Sequence, residues 1–343
     1  MNRAVVVGSG SAGRRHAAAL RRRCPDAPIT VVRRPGSTTP ADGLAELGVE
    51  IVDSVEEAAR LEPDVAVVAS PSPFHRRHAA ALAAVGAQLL VEKPLAHEVA
   101  DAIGLVDDVE ATGRPVLVGY HLRWTDTVPR VRQLLLEGAV GAPTSFTLEV
   151  GQHLAQWRPE SEPSATVTAR AELGGGVLRE LSHELDGARF LFGEVDRLRC
   201  TLQRDGAPTD GLVDTVAHLH LVMATGLTGA VHLDMVAPSP FRRWVVTGDH
   251  GRLTADLLNG RIHLTTRAGD RSTVSDTSGS QRDLAEDRLI EHLLEIAGGE
   301  AEPICTGDDG IAAALLVAAA EESDAAGREV TVDRLSATDG SPG

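Results

Sequence analysis

Lysine is all but absent from this chain. Of its 33 basic residues, 32 are arginine and a single one, Lys93, is lysine. Guanidinium keeps its proton under protein conditions, whereas an amine gives its proton up when burial or a neighbouring positive charge lowers its pKa. A proton-transfer role is therefore the reading that singles out Lys93, against the alternative of a chance lysine at a strand end. Cysteine is scarce too. Cys24, Cys200 and Cys305 are odd in number and far apart, which argues against a disulfide framework or a metal site and fits reduced thiols in a cytosol better. The chain runs straight into Ala4-Val5-Val6-Val7 without the apolar region of a signal peptide, and no apolar run reaches membrane-spanning length. A cytoplasmic protein is expected. Positive charge is also in deficit: 33 basic against 49 acidic residues give −16, which repels nucleic acid and anionic membranes and points to a small-molecule partner. Any anionic ligand must then be held by local arginines and helix N-termini.

Hydrophobic residues are 43% and charged residues 24% of 343, ordinary for a globular protein of about two domains. The β-branched run 3–7 leads into Gly8-Ser9-Gly10-Ser11-Ala12-Gly13, then an alanine-rich helix to about Arg23, then a second strand, Ile29 to Val32. Between strand and helix, a GxGxxG turn lets the backbone approach a pyrophosphate at a helix N-terminus, so Gly8, Gly10, Ser11, Ala12 and Gly13 are expected to bind a dinucleotide. The acid that would take the adenosine ribose hydroxyls is missing after the second strand. Arg33 and Arg34 stand there instead, which favours the 2′-phosphate of NADP over NAD; the alternative is a pair of solvated arginines.

Helix and strand continue to alternate. The buried strand 65–69 ends in Ser70-Pro71-Ser72-Pro73-Phe74-His75, and the strand 88–91 delivers Glu92-Lys93-Pro94 to the same sheet edge, where ligands collect. Ser70, Pro71 and His75 are expected near the cofactor, as is His16 in the first helix. Beyond the strand 115–119 and Tyr120-His121, longer alternating strands at 144–150, 197–203, 213–222, 228–236 and 243–247 announce a second, mainly antiparallel sheet. Two helices, near 283–297 and 310–325, close the chain. The expected division is a dinucleotide domain over 1–121, a second α/β domain over 122–335 and a mobile tail over 336–343.

The Gly8 to Gly13 motif with His16, Glu92-Lys93-Pro94, and Gly174-Gly175-Gly176 leading to His183 and Asp186 resemble the Gfo/Idh/MocA family of nicotinamide-dependent sugar and cyclitol oxidoreductases. Val150-Gly151-Gln152, Trp157-Arg158-Pro159 and 172–178 are most similar to members serving polysaccharide or nucleotide-sugar biosynthesis. The resemblance implies a Rossmann doubly wound parallel sheet followed by an α+β domain whose open sheet makes a homodimer or homotetramer. It implies that Lys93 stands beside the nicotinamide, that Pro94 fixes its loop, and that His183 is the active-site histidine. The family's aspartate falls at Glu180 when counted from Gly176 and at Arg179 when counted back from His183. Glu180 is expected to orient His183 or the substrate, three residues away on one helix face, with Asp186 one turn further on.

Oxidation of a secondary alcohol needs a base for the hydroxyl proton, and Lys93 and His183 are the candidates. Tyr120, His121, Arg123, Trp157 and Arg158 are expected around the substrate, Trp157 as a platform for a sugar ring and the arginines for phosphate or hydroxyl groups; ordinary core packing and surface charge are the alternative. Trp124 belongs with them. His218, His220 and His232 read as exposed sheet residues, and Arg242 and Arg243 as strand caps. The expected activity is NAD(P)-dependent hydride transfer at a hydroxyl or ketone carbon of a sugar, nucleotide sugar or cyclitol. A non-catalytic dinucleotide sensor and a redox-neutral glycoside-cleaving enzyme are the competing classes.

Overall fold

The structure, a computed structural model, describes residues 3–37, 42–157, 166–204, 213–277 and 281–332. Its first half is a six-stranded parallel sheet of β1 (Ala4–Val7), β2 (Ile29–Val32), β3 (Glu50–Val52), β4 (Val65–Val68), β5 (Gln88–Val91) and β6 (Val116–Val118), in the order β3-β2-β1-β4-β5-β6. The continuous apolar runs explain this placement. Every residue of β1, β2, β4 and β5 is buried, as befits strands covered on both faces. The crossovers carry α1 (Ser11–Arg23), α2 (Asp42–Ala45), α3 (Val55–Ala59), α4 (His75–Ala83) and α5 (Val99–Glu110). This is the doubly wound order, in which the strand order reverses between β1 and β4 while all strands stay parallel, so the carboxyl ends of these two strands flank the crevice.

The chain then forms α6 (Thr127–Leu136), β7 (Pro143–Gly151), α7 (Leu154–Trp157), α8 (Val177–Glu180) and α9 (His183–Phe192). A nine-stranded sheet follows with β8 (Val195–Gln203), β9 (Val216–Met223), β10 (Thr228–Asp234), β11 (Phe241–Gly248), β12 (Gly251–Asp256), β13 (Arg261–Thr266) and β14 (Arg271–Asp276). After α10 (Arg282–Ala297) and α11 (Gly307–Ala326), β15 (Val330–Thr331) completes it, in the order β14-β13-β12-β11-β7-β10-β9-β8-β15. All pairings are antiparallel except β10 with β7. Strands β12 to β14, absent from the sequence expectation, extend one edge as hairpins; Leu253, Ala255 and Ile262 still reach the core, whereas β14 has no fully buried residue.

The two terminal helices do not stay with the second sheet. Ala285, Leu289, Ile290 and Leu293 of α10 lie in the same apolar core as β1, β4 and β5, and α10 packs along α1. Helix α11 spans both cores, with Ile311 and Ala314 in the first and Leu316 and Ala320 in the second. The return of the chain to the parallel sheet brings α10 against the crevice. Among the described residues no helix is long and apolar enough to cross a membrane. The tail over 336–343 lies outside the described residues.

Candidate active site

The dinucleotide turn is built by three glycines with different duties. Gly8 has φ of +117°, and a Cβ there would meet Ala69 O at 2.5 Å; a Cβ on Gly13 would meet Gly8 O at 1.9 Å. These two let β1, β4 and α1 come together. Around Gly10 nothing lies within 4 Å of an added Cβ, so its face is open. Gly10 is also the N-cap of α1, with no side-chain cap and no acid in the first turn. The N–H groups of Ser11, Ala12 and Gly13 thus point from a positive helix end into open space, which fits a pyrophosphate.

Past β2 the chain presents Arg33 and Arg34. Arg33 donates to Ser37 O at 2.8 Å and holds the turn, while Arg34 is exposed. After β4, Ser70 donates or accepts at His78 Nδ1, 2.9 Å away, and Pro71 leads into a short 3₁₀ turn. His75, expected near the cofactor, turns its ring inward. It is 1% exposed, with Nε2 2.7 Å from Ser70 O and Nδ1 3.1 Å from Leu95 O, so its ring ties the two loops together, and burial holds its pKa low.

At the end of β5, Glu92 is buried and Pro94 follows Lys93 through a cis bond. The Lys93 amine donates to the Glu180 main-chain oxygen at 2.8 Å, and its nitrogen lies 3.7 Å from Glu180 Oε2. Two motifs 87 residues apart are joined here. Glu180 in turn accepts from Thr168 Oγ1 at 2.9 Å. Glu180 and His183 were expected to share a helix face. They do not, because the helix breaks at Leu181 (φ −105°, ψ 22°), ending α8 and letting α9 begin at His183. The break lets Glu180 meet the lysine while His183 projects from the next helix.

His183 is 5% exposed, its ring edge-on to Tyr120 at 5.5 Å and to His121 at 4.5 Å. Burial, then His121, Arg242 and Lys93, hold its pKa well below the ordinary value; burial and Arg282 do the same for His121. Both are neutral at pH 7. Among the described residues, His183 Nδ1 has no hydrogen-bond partner. Tyr120 is fully buried and donates to Ser182 Oγ at 3.3 Å, and burial raises its phenol pKa.

Arg123 and Asp186, expected around the substrate, are turned towards each other. Arg123 is 6% exposed, donates to both Asp186 oxygens at 3.1 and 2.6 Å, and reaches Asp309 at 2.9 Å. A buried guanidinium demands this compensation, so the pair serves as a brace between α9 and α11. Trp124 is buried in the first core. Trp157 is half-buried at the end of α7, and Arg158 lies outside the described residues. His218 and His220 are exposed on the sheet, and His218 stacks on His232 at 4.5 Å between ring centres.

Three side chains of the site gave no signal in the sequence. Arg242, expected as a strand cap, pairs through two bonds of 2.6 and 2.8 Å with the fully buried Glu184, while Arg243 does reach Glu149 at the sheet surface. Glu286 and Arg282 come from α10. Arg282 is solvent-exposed at the start of α10. Only the fold brings α10 here.

A parallel sheet in this order, an open uncapped helix end at its crevice, and a lysine joined to Glu180 within electrostatic reach of a buried histidine fit a dinucleotide-binding oxidoreductase with a second, sheet-based domain. Residues 2–120 match the profile of the oxidoreductase family with an NAD-binding Rossmann fold, and residues 128–254 match the GFO/IDH/MocA C-terminal domain. The chain belongs to the Gfo/Idh/MocA family. It is 26% identical over 342 residues to inositol 2-dehydrogenase of Rhizobium meliloti, covering 95% of this chain and 98% of that one. It is 27% identical over 312 residues to D-apiose dehydrogenase of Paraburkholderia graminis, covering 86% and 77%. Levoglucosan dehydrogenase in complex with NADH shares the fold, with a TM-score of 0.85 at 20% identity over 97% of this chain and 100% of that one.

Proposed function

We propose that this protein is an NAD(P)-dependent dehydrogenase or reductase that moves a hydride between nicotinamide and a secondary alcohol or ketone carbon of a sugar, nucleotide sugar or cyclitol. The observation that carries the reading is the joining of the Lys93 amine to Glu180, within electrostatic reach of a neutral, buried His183 with an unpartnered nitrogen. A bound nicotinamide supplies the hydride acceptor or donor. The chain supplies the proton path. Neutral His183 is able to take the hydroxyl proton, and Lys93, anchored by Glu180, holds the substrate oxygen and shares that proton; in the reducing direction it returns. His121 and Trp157 supply walls for the ring. Members of the family named inositol 2-dehydrogenase and D-apiose dehydrogenase support this substrate class.

NADP(H) is the preferred cofactor in this reading, since β2 is followed by two arginines and exposed Arg34 is free to meet a 2′-phosphate. The open sheet face bearing His218 and His220 is assigned to a homodimer or homotetramer, and the three unpaired cysteines fit a cytoplasmic setting. The test is a nicotinamide absorbance screen of free sugars, nucleotide sugars and cyclitols with both cofactors. A substrate-linked absorbance change is expected. Dinucleotide binding with no turnover would identify a sensor, and product formation with tightly held nicotinamide and no net absorbance change would identify redox-neutral cleavage.

A further inference from the structure

One buried group of ionisable side chains takes no part in the proton path. His16 is fully buried in α1; its Nε2 lies 2.7 Å from Glu92 Oε1 and its Nδ1 3.3 Å from Glu286 Oε2. The second contact is an ion pair rather than an aligned hydrogen bond. Glu286 is 1% exposed, and its other oxygen accepts from Arg15 Nε at 3.1 Å; Arg15 Nη1 donates to Ser11 Oγ at 2.8 Å. At the far end, Glu92 Oε2 accepts the main-chain N–H of Lys93 at 3.1 Å. A continuous polar chain therefore runs from Ser11 in the dinucleotide turn, through Arg15, Glu286, His16 and Glu92, to the backbone of Lys93. It crosses α1, the loop after β5 and α10.

Charge explains why the chain holds together. Two buried carboxylates repel each other, and each is costly to desolvate without a partner. A neutral imidazole has one N–H to offer, whereas an imidazolium between them answers both. Burial alone lowers the His16 pKa, but Glu286 and Glu92 outweigh it and raise it. Burial would raise Glu92, and His16 more than reverses that. The same three groups stand close enough to ligate a metal ion. Arg15 and Lys93 flank them, however, and the imidazolium already answers the carboxylates, which disfavours a further cation.

We propose that His16 and Glu286 are positioning residues for Lys93: they fix the orientation of Glu92, Glu92 fixes the Lys93 backbone, and the dinucleotide turn at Ser11 is thereby linked to the placement of the amine at Glu180. This rests on Lys93 as the proton-transfer group. It differs from that assignment in naming what aims the amine.

The single lysine makes the test direct, because the full-length protein grown with lysine labelled at Cε gives one ε-methylene NMR signal. His16→Gln keeps a polar group of similar reach without the charge, and Glu286→Gln keeps the shape. In both folded variants the lysine signal moves, and kcat falls about 10- to 100-fold while KM for the sugar stays within about threefold. The double variant is no worse than the more damaging single one, as expected of one connected chain. Adding NADPH shifts the lysine signal in the wild type and shifts it less in Glu286→Gln. If the lysine signal and kcat match wild type in folded His16→Gln and Glu286→Gln, even with a lowered Tm, the chain is structural and the proposal is overturned. A stoichiometric metal that survives dialysis of the wild type and is lost in His16→Gln also overturns it. Should His16→Gln fail to fold, Glu286→Gln decides. Should no sugar turn over, the functional reading fails while the lysine signal still decides the linkage.

Discussion

At the scale of single residues, the site turns on the difference between two cations. Lys93→Arg keeps the charge beside Glu180 but removes an amine that can exchange its proton. Turnover is expected to fall by about 10² to 10⁴, with the dinucleotide dissociation constant almost unchanged when read by nicotinamide fluorescence; an arginine variant near the wild-type rate would remove Lys93 from the proton path. Arg34→Ala is expected to weaken NADPH by about 1 to 2 kcal/mol and NADH hardly at all, and an equal loss for both cofactors in titration sinks the 2′-phosphate assignment. Lys93 was legible because it is the only amine on a side chain and sits in a motif. The roles of Arg123 and Asp186 were not legible, because a charge that binds a ligand and a charge that braces two helices look alike until the further partner, here the half-buried Asp309, is known.

At the scale of elements, the parallel sheet could be read from the chain because its strands are unbroken apolar runs with turn residues between them. The hairpins β12 to β14 could not. Their apolar residues are few and set among polar ones, and the pairing that defines them, such as Leu253 opposite Leu264, is set by the neighbouring strand rather than by local preference. The break between α8 and α9 was equally hidden, since nothing in Glu180-Leu181-Ser182-His183 forbids a continuous helix. Where the sequence did specify an element, its glycines can be separated by experiment. Gly13→Ala forces α1 away from Gly8 and is expected to lose about 2 to 4 kcal/mol of stability together with dinucleotide binding. Gly10→Ala meets no atom within 4 Å at φ −72°, so its melting temperature should match wild type while dinucleotide affinity falls. Equal melting losses in the two variants would mean that the open face of Gly10 is not where the pyrophosphate lies.

At the scale of the whole molecule, the buried histidines set how stability follows pH, and they oppose one another. His121 and His183 have folded pKa values well below the ordinary 6.5, and burial is the main cause; His78 is brought down to about 4. In the unfolded chain they titrate near 6.5, so below that pH the unfolded state binds protons that the folded state refuses. Stability then falls with falling pH, by at most about 1.4 kcal/mol per pH unit for each such group. His16 runs the other way. Its folded pKa is raised, so its contribution is complete below 6.5 and is lost as pH rises through the folded value. More histidines are depressed than raised, and denaturant midpoints are therefore expected to drop between pH 7 and pH 5. In His183→Asn that slope should shrink by the share of one proton, since a neutral amide replaces the ring in the same buried place. In His16→Gln it should steepen, because a histidine that favours the folded state at low pH has gone. Parallel slopes for wild type and both variants would show that these rings titrate alike in the folded and unfolded chain, and would remove the ground for treating His183 as a neutral base at pH 7.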